Sequence, residues 1–183
     1  MLIRPMSLYE VGASNGLVSL KKLFAGKTYN YVKSNLDVND YALWIIKGGW
    51  PLGVYDTEEQ AIIRNNAYLD AIVKEDVNKV SNKKYNELRM LKVIESLARF
   101  TASETTNTAI IKDLKSLDEG MVVNTLIDYL NVLNKIYIIE DLKAWNPNLR
   151  SKTVIRSTPA RFFVDPSIGA AALKLTTKRF NSD

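Results

Sequence analysis

Four basic residues late in the chain have the types and spacing that could hold a phosphate backbone. They lie in the segment LRSKTVIRSTPARFF, as Arg150, Lys152, Arg156 and Arg161. No acidic residue occurs between Asp141 and Asp165. On a regular strand, residues at even offsets project from one face, so the first three would form a cationic ribbon. Such a ribbon could bind phosphates, and it equally fits the solvated face of a hairpin, where Lys and Arg guard against aggregation.

The chain has no cysteine and no histidine, and this excludes several kinds of catalytic site. A thiol nucleophile, a Cys/His zinc site and a histidine general base all need residues that are missing. The eight glycines form neither the P-loop pattern nor the dinucleotide-binding pattern. Any catalysis would have to rest on carboxylates, lysines, tyrosines or a bound metal, and we expect no catalytic residue, no bound metal and no cofactor in this chain.

Three carboxylates near the middle of the chain invite a metal or acid–base hypothesis. They are Asp70, Glu75 and Asp76, and the last two are adjacent. Neighbouring side chains on a helix diverge, so Glu75 and Asp76 would not converge on one ion. The sequence therefore favours surface charge here.

The net charge of +5 arises in the second half of the chain. Residues 1–82 contain nine basic and nine acidic residues, whereas residues 83–183 contain sixteen and eleven. This basic excess favours an anionic partner, and duplex DNA is the one we expect. No apolar run approaches the roughly 20 residues that span a bilayer, so we expect a cytoplasmic protein without a membrane partner.

Local signals predict a mainly α-helical fold with a small β-hairpin. Residues 1–82 are predicted to be a helical connector with a short helix between Ser19 and Gly26, a capped helix over 37–47 and a long helix over 57–80. Residues 83–175 are predicted to be a winged-helix-like domain, that is, a helix-turn-helix followed by a hairpin. Its predicted helices cover 86–99, 108–117 and 121–134, its turn is 118–120, its strands cover 136–139, 153–156 and 161–164, and a last helix covers 167–175.

The helix predicted over 121–134 stands where a recognition helix would lie. Asn124 and Thr125 would face a DNA groove, because their side chains can contact base edges or phosphates. However, no Arg or Lys occurs in this helix before Lys135, and Asp128 would repel phosphate. The alternative is a packing helix in a protein-contact module. The residues predicted to point inward are Val122, Leu126, Ile127, Leu130 and Leu133.

Five segments, spread over most of the chain, together resemble one known family. They are RPMSLYE, GGWP, YLDAIVKEDV, SLARFTASE and IEDLKAWNPNLRSKTVIRSTPARFFVDPS. This order of segments is similar to that of prokaryotic AAA-type ATPases that carry a C-terminal domain of unknown function. The resemblance implies a P-loop ATPase core first, then a helical segment, a winged-helix-like region and a nuclease-like end.

This chain departs from that plan at both ends. It contains no Walker motif, and it stops before the segment that would hold the nuclease-like carboxylates and lysine. Neither site can be carried over, so the chain resembles a middle piece. We expect a non-catalytic DNA-binding or regulatory module of an ATP-binding protein. The alternative is a module for protein contact or self-association that couples an ATPase core to an effector domain.

Overall fold

The computed structural model describes residues 3–81, 83–115, 120–145, 158–180 and 182. In these ranges the chain is mainly helical with one two-stranded antiparallel sheet, which confirms the predicted fold class. The helices are α1 (Leu20–Phe24), α2 (Val38–Lys47), α3 (Glu58–Ala71), α4 (Glu87–Arg99), α5 (Asn107–Lys115), α6 (Val123–Lys135), α7 (Pro166–Ala172) and α8 (Thr177–Phe180). A 3-10 turn, Pro51–Gly53, precedes α3, and a π-helical turn, Ile72–Asp76, and a last turn, Val77–Lys79, extend it.

The predicted starts of α1, α2 and α3 are confirmed because capping depends on residues close together in sequence. Asp37 caps α2 through a capping box with Asp40, and Thr57 caps α3 through a capping box with Gln60. Ser19 caps α1, with its Oγ 3.4 Å from the backbone nitrogen of Lys22. These bonds satisfy amide groups that the first helical turn leaves without partners.

The elements between residues 86 and 164 follow in the predicted order, but two starts are corrected: the helix predicted from 121 begins at Val123, and the first strand begins later than predicted. Asn86 caps α4, and α5 and α6 come next, followed by β1 (Ile139–Leu142) and β2 (Ala160–Phe163). The prediction that a strand begins at Ile136 is wrong. Ile136 is the C-cap of α6, and Tyr137 takes a left-handed φ of 58° in the turn that follows.

The two strands pair antiparallel, with Ile139 opposite Phe163 and Leu142 opposite Ala160. The partner of the predicted strand 161–164 is therefore β1. The strand predicted over 153–156 and residues 118 and 119 of the predicted turn lie outside the described residues.

Side chains from both sides of residue 82 share one hydrophobic core. The largest buried members are Ile72, Val77, Met90, Val93, Ile94, Ile110, Leu114, Leu126, Leu133, Ile138 and Ile168. Helix α7 packs against α2, α3 and α4, so it joins the predicted connector to the predicted second domain. The two predicted parts are packed on one another in the structure. Their division into two domains at residue 82 stays a prediction.

Candidate interaction surface

The inner face of α6 is held firmly against the core. Leu126, Leu130 and Leu133 are buried. The Tyr129 ring meets the Tyr85 ring edge-on at 5.0 Å between centroids, and its hydroxyl accepts a bond of 3.3 Å from the Asn86 amide. These contacts orient the helix, so they determine which of its residues reach the surface.

The outer face of α6 begins with an apolar ridge, which we define as Val122, Val123 and Ile127. Their exposed fractions are 58%, 43% and 37%, respectively. The prediction that Val122 and Ile127 point inward is wrong. Val122 is the N-cap and precedes the helix, while Leu126 and Leu130 occupy the inward positions. Val123 and Ile127 are four residues apart, so they lie side by side on one face.

The polar groups beside this ridge are few. Asn124 is exposed and Thr125 is half-buried. Asp128 accepts a bond of 2.7 Å from the Lys83 ammonium, and that hydrogen bond, with the negative charge of Asp128, raises the pKa of Lys83. The Lys135 ammonium donates to the Val80 carbonyl at 2.7 Å. The ammonium groups of Lys83 and Lys135 are therefore engaged within the protein.

Arg161 is the described member of the four predicted phosphate contacts, and it is largely enclosed. Its side chain is 13% exposed, and its Nε lies 3.3 Å from an Asp141 carboxylate oxygen. Its terminal nitrogens donate to the Thr105 carbonyl and the Asn107 side chain, both at 3.0 Å. The Arg161 guanidinium therefore connects the hairpin to Thr105 in the loop before α5 and to Asn107 at the start of that helix. Phosphate binding by Arg161 stays a prediction.

Arg150, Lys152 and Arg156 lie outside the described residues. They belong to the connection between β1 and β2, which would be the wing of a winged helix. At the start of this connection, Leu142 and Trp145 are exposed, Trp145 at 84%.

A buried polar cluster around Asp165 joins two of the segments that suggested a family resemblance, GGWP and FVDPS. The Asp165 carboxylate accepts bonds from the Gly49 amide at 2.7 Å, the Ser167 amide at 2.9 Å and the Ser167 hydroxyl at 2.5 Å. The Trp50 indole N–H donates to the Ser167 hydroxyl at 2.9 Å. These hydrogen bonds are all internal, so the cluster supports the fold.

Local sequence contains a signal for part of this cluster. An Asp followed by Pro and Ser is typical of an N-cap with Pro at the first helical position, and Asp165 caps α7 in this way. No local signal shows that the same carboxylate accepts from Gly49, more than a hundred residues earlier.

The carboxylates of Asp70, Glu75 and Asp76 form surface ion pairs, which agrees with the surface charge that the sequence favours. Asp70 and Lys74 are 2.8 Å apart, and Lys79 lies 2.8 Å from Glu75 and 3.6 Å from Asp76. Within the described residues, no group of three or more potential metal ligands occurs. These acids therefore belong to a solvated helix face.

The model of one family, a domain of unknown function (DUF8612), matches residues 38–179. The chain belongs to this family. The DUF8612 region contains α2 through α7 and the whole Asp165 cluster, whereas α1 precedes it. No curated protein and no solved structure matches the chain. Among the described residues of this DUF8612 protein, none belongs to a helix that is both long and apolar enough to cross a membrane.

Proposed function

We propose that this DUF8612 chain is a non-catalytic winged-helix module of a larger AAA-type ATPase, and that it binds another protein domain through the outer face of α6. The order of helices and strands after residue 86 supports the winged-helix assignment. The resemblance of the sequence segments supports the link to an ATPase. The apolar ridge is the observation that carries the choice of a protein partner.

The chemistry of the ridge suits an apolar protein face better than a phosphate backbone. Fully burying a Val or Ile side chain contributes about 1.5–3 kcal/mol, so completing the burial of Val123 and Ile127 contributes about 1 kcal/mol each. A phosphate backbone would not bury these apolar side chains, so it would not contribute this free energy. Asp128, which stands one turn after Asn124, is paired with Lys83, so this face offers phosphate no free positive charge from that lysine.

Val123→Glu combined with Ile127→Glu tests the protein-contact surface. The partner is the P-loop segment encoded in the reading frame that contains this chain, expressed separately and titrated by calorimetry. We expect binding to weaken roughly tenfold or more, because two apolar contacts are replaced by buried charge. Both positions are exposed, so circular dichroism should show an unchanged fold.

Ile63→Glu with Leu88→Glu is the matched control, since both side chains are exposed on other helices. It should leave binding unchanged. Equal weakening by both double variants would contradict a contact through α6. A reading frame without a P-loop would contradict the ATPase link, and ATP hydrolysis by the purified chain would contradict its non-catalytic character.

Duplex DNA is the second candidate, and the hairpin favours it. The connection between β1 and β2 contains Lys143, Arg150, Lys152 and Arg156 and no acidic residue, and exposed Asn124 stands at the start of α6. These cations would hold phosphates while Asn124 faces a groove.

Fluorescence anisotropy with a labelled duplex tests the DNA candidate. Arg150→Ala with Arg156→Ala should weaken binding, and should lower the slope of log affinity against log salt by about 1.8, since each phosphate contact contributes about 0.9. Lys74→Ala with Lys79→Ala removes the same charge from the turns that extend α3, and should change the affinity little. Absence of binding at low salt would rule out this candidate.

A further inference from the structure

The segment before the DUF8612 region presents apolar side chains that the described structure leaves uncovered. We call residues 17–33 the α1 segment. Helix α1 has no buried residue, and Phe24 is 91% exposed. Leu20 and Tyr31 are also largely exposed. Large apolar side chains grouped in this way mark a surface that another molecule covers.

The α1 segment is also basic. Between Glu10 and Asp37 the chain contains four lysines, two of them in α1, and no acidic residue. Residues 37–82, by contrast, contain eight acidic and four basic residues. The N-terminal region of the chain is therefore divided into a basic apolar part and an acidic part that includes α2 and α3.

A groove beside the acidic part offers apolar surface together with charged groups, among them the carboxylate of Glu95. It lies between α3, α4 and α7 and has a volume of about 540 Å³. Its apolar lining includes Ile62, Leu69, Leu91, Ala171 and Leu175, and its charged lining residues are Asp70, Glu95 and Lys174. A volume of this size is typical of ligand-binding clefts, and it accommodates several side chains.

Glu95 gives the groove a site for a cation. It is half-buried, and no hydrogen-bond or ion-pair partner is found for it among the residues that the structure describes. A half-buried carboxylate without a partner is stabilised when a cation approaches it. A second acid, Asp70, stands in the same groove, where it already pairs with Lys74.

We propose that the α1 segment of one copy binds in the groove between α3, α4 and α7 of a second copy. Leu20 and Phe24 are four residues apart, so they lie on one face of α1 and enter the groove together. Lys21 is three residues before Phe24 and flanks that face, where it pairs with Glu95 of the second copy. This is a helix-in-groove contact in which apolar anchors supply affinity and charge sets orientation.

The contact joins two different surfaces, so the association is head-to-tail. In a dimer, one copy therefore has a free α1 segment and the other has a free groove. Further copies can bind to these free surfaces, so the assembly grows as an open chain unless its geometry closes a ring. None of the residues involved belongs to α6 or the hairpin. Loss of this contact would therefore leave the proposed α6 contact intact, so an experiment can reject either proposal without rejecting the other.

Sedimentation velocity tests the association with the whole chain. The wild type should increase in mass with concentration, and Phe24→Ala and Glu95→Lys should each weaken association roughly tenfold or more. Mixing the two variants is the decisive step. Phe24→Ala keeps an intact groove, and Glu95→Lys keeps an intact α1 segment. A mixture of the two should form dimers and nothing larger, because the intact α1 segment and the intact groove can make only one contact.

Charge reversal and a matched control complete the test. Lys21→Glu combined with Glu95→Lys should restore association that Glu95→Lys alone removes. Tyr55→Ala, at an aromatic residue that is 94% exposed elsewhere, should leave association unchanged. A wild-type chain that remains monomeric up to about 1 mM would overturn the proposal, since the contact would then contribute under about 4 kcal/mol. A mixture of the two variants that forms no dimer would overturn it as well.

Discussion

Gly48→Ala is expected to destabilise the fold by about 3–4 kcal/mol, although it adds a single methyl group. The backbone at Gly48 has φ 70° and ψ −177°, a combination that is essentially restricted to glycine. A Cβ there would lie 2.2 Å from an Asp165 carboxylate oxygen and 2.6 Å from the Ser167 hydroxyl. The strained backbone costs about 1–3 kcal/mol, and overpacking of a buried site costs a similar amount.

Gly26→Ala is the matched control for this prediction. Gly26 also has a positive φ, 84°, but a Cβ there would meet nothing within 4 Å. We expect a loss of only about 1 kcal/mol, from backbone strain alone. Urea denaturation followed by circular dichroism measures both free energies of unfolding. Equal losses would mean that the collision with Asp165 is relieved by a small movement.

Asp165→Ala is expected to destabilise the fold by about 3 kcal/mol. The change leaves the buried Gly49 amide without its acceptor and removes the cap of α7. A buried donor without a partner costs about 1–3 kcal/mol, and a lost N-cap costs about 1 kcal/mol. Asp165→Asn should fall between alanine and wild type, because an amide oxygen can replace one carboxylate oxygen and the amide nitrogen cannot replace the other.

Asp37→Ala provides the comparison for Asp165→Ala. Asp37 is also an N-cap aspartate, but it is exposed and caps α2 through a capping box with Asp40. We expect a loss of about 1 kcal/mol in chemical denaturation. A similar loss for both variants would contradict the view that the Asp165 cluster contributes more than a cap.

The Asp165 cluster matters for function because of what it positions. It joins the end of α2 to the start of α7, and Met6 binds the same corner through a bond of 2.7 Å from its amide to the Gly49 carbonyl. Asp165 comes two residues after β2, so the cluster also holds one strand of the hairpin. Variants of this cluster are therefore expected to disturb the proposed interaction surfaces only through the fold.

The residues that α6 exposes differ from those that its sequence pattern predicts. Periodicity suggests that Val122, Leu126, Ile127, Leu130 and Leu133 all point inward, yet the rotation of the helix is decided by contacts such as the pair of Tyr85 and Tyr129. That pair, and Leu126 with Leu130, leave Val123 and Ile127 outside. This rotation places an apolar ridge on the outer face of α6, beside the exposed Asn124.

The sequence by itself determined the starts of the first four helices, the fold class and the exclusion of thiol and histidine chemistry. Caps such as Thr57 with Gln60 act over three residues, and the absence of a residue type needs no geometry. Only the tertiary structure decided that Arg161 binds Asp141 and the loop before α5, and that Asp165 accepts from Gly49. The physical reason is distance along the chain. Hydrogen bonds between segments dozens to a hundred residues apart depend on how helices pack, and no local pattern encodes that packing.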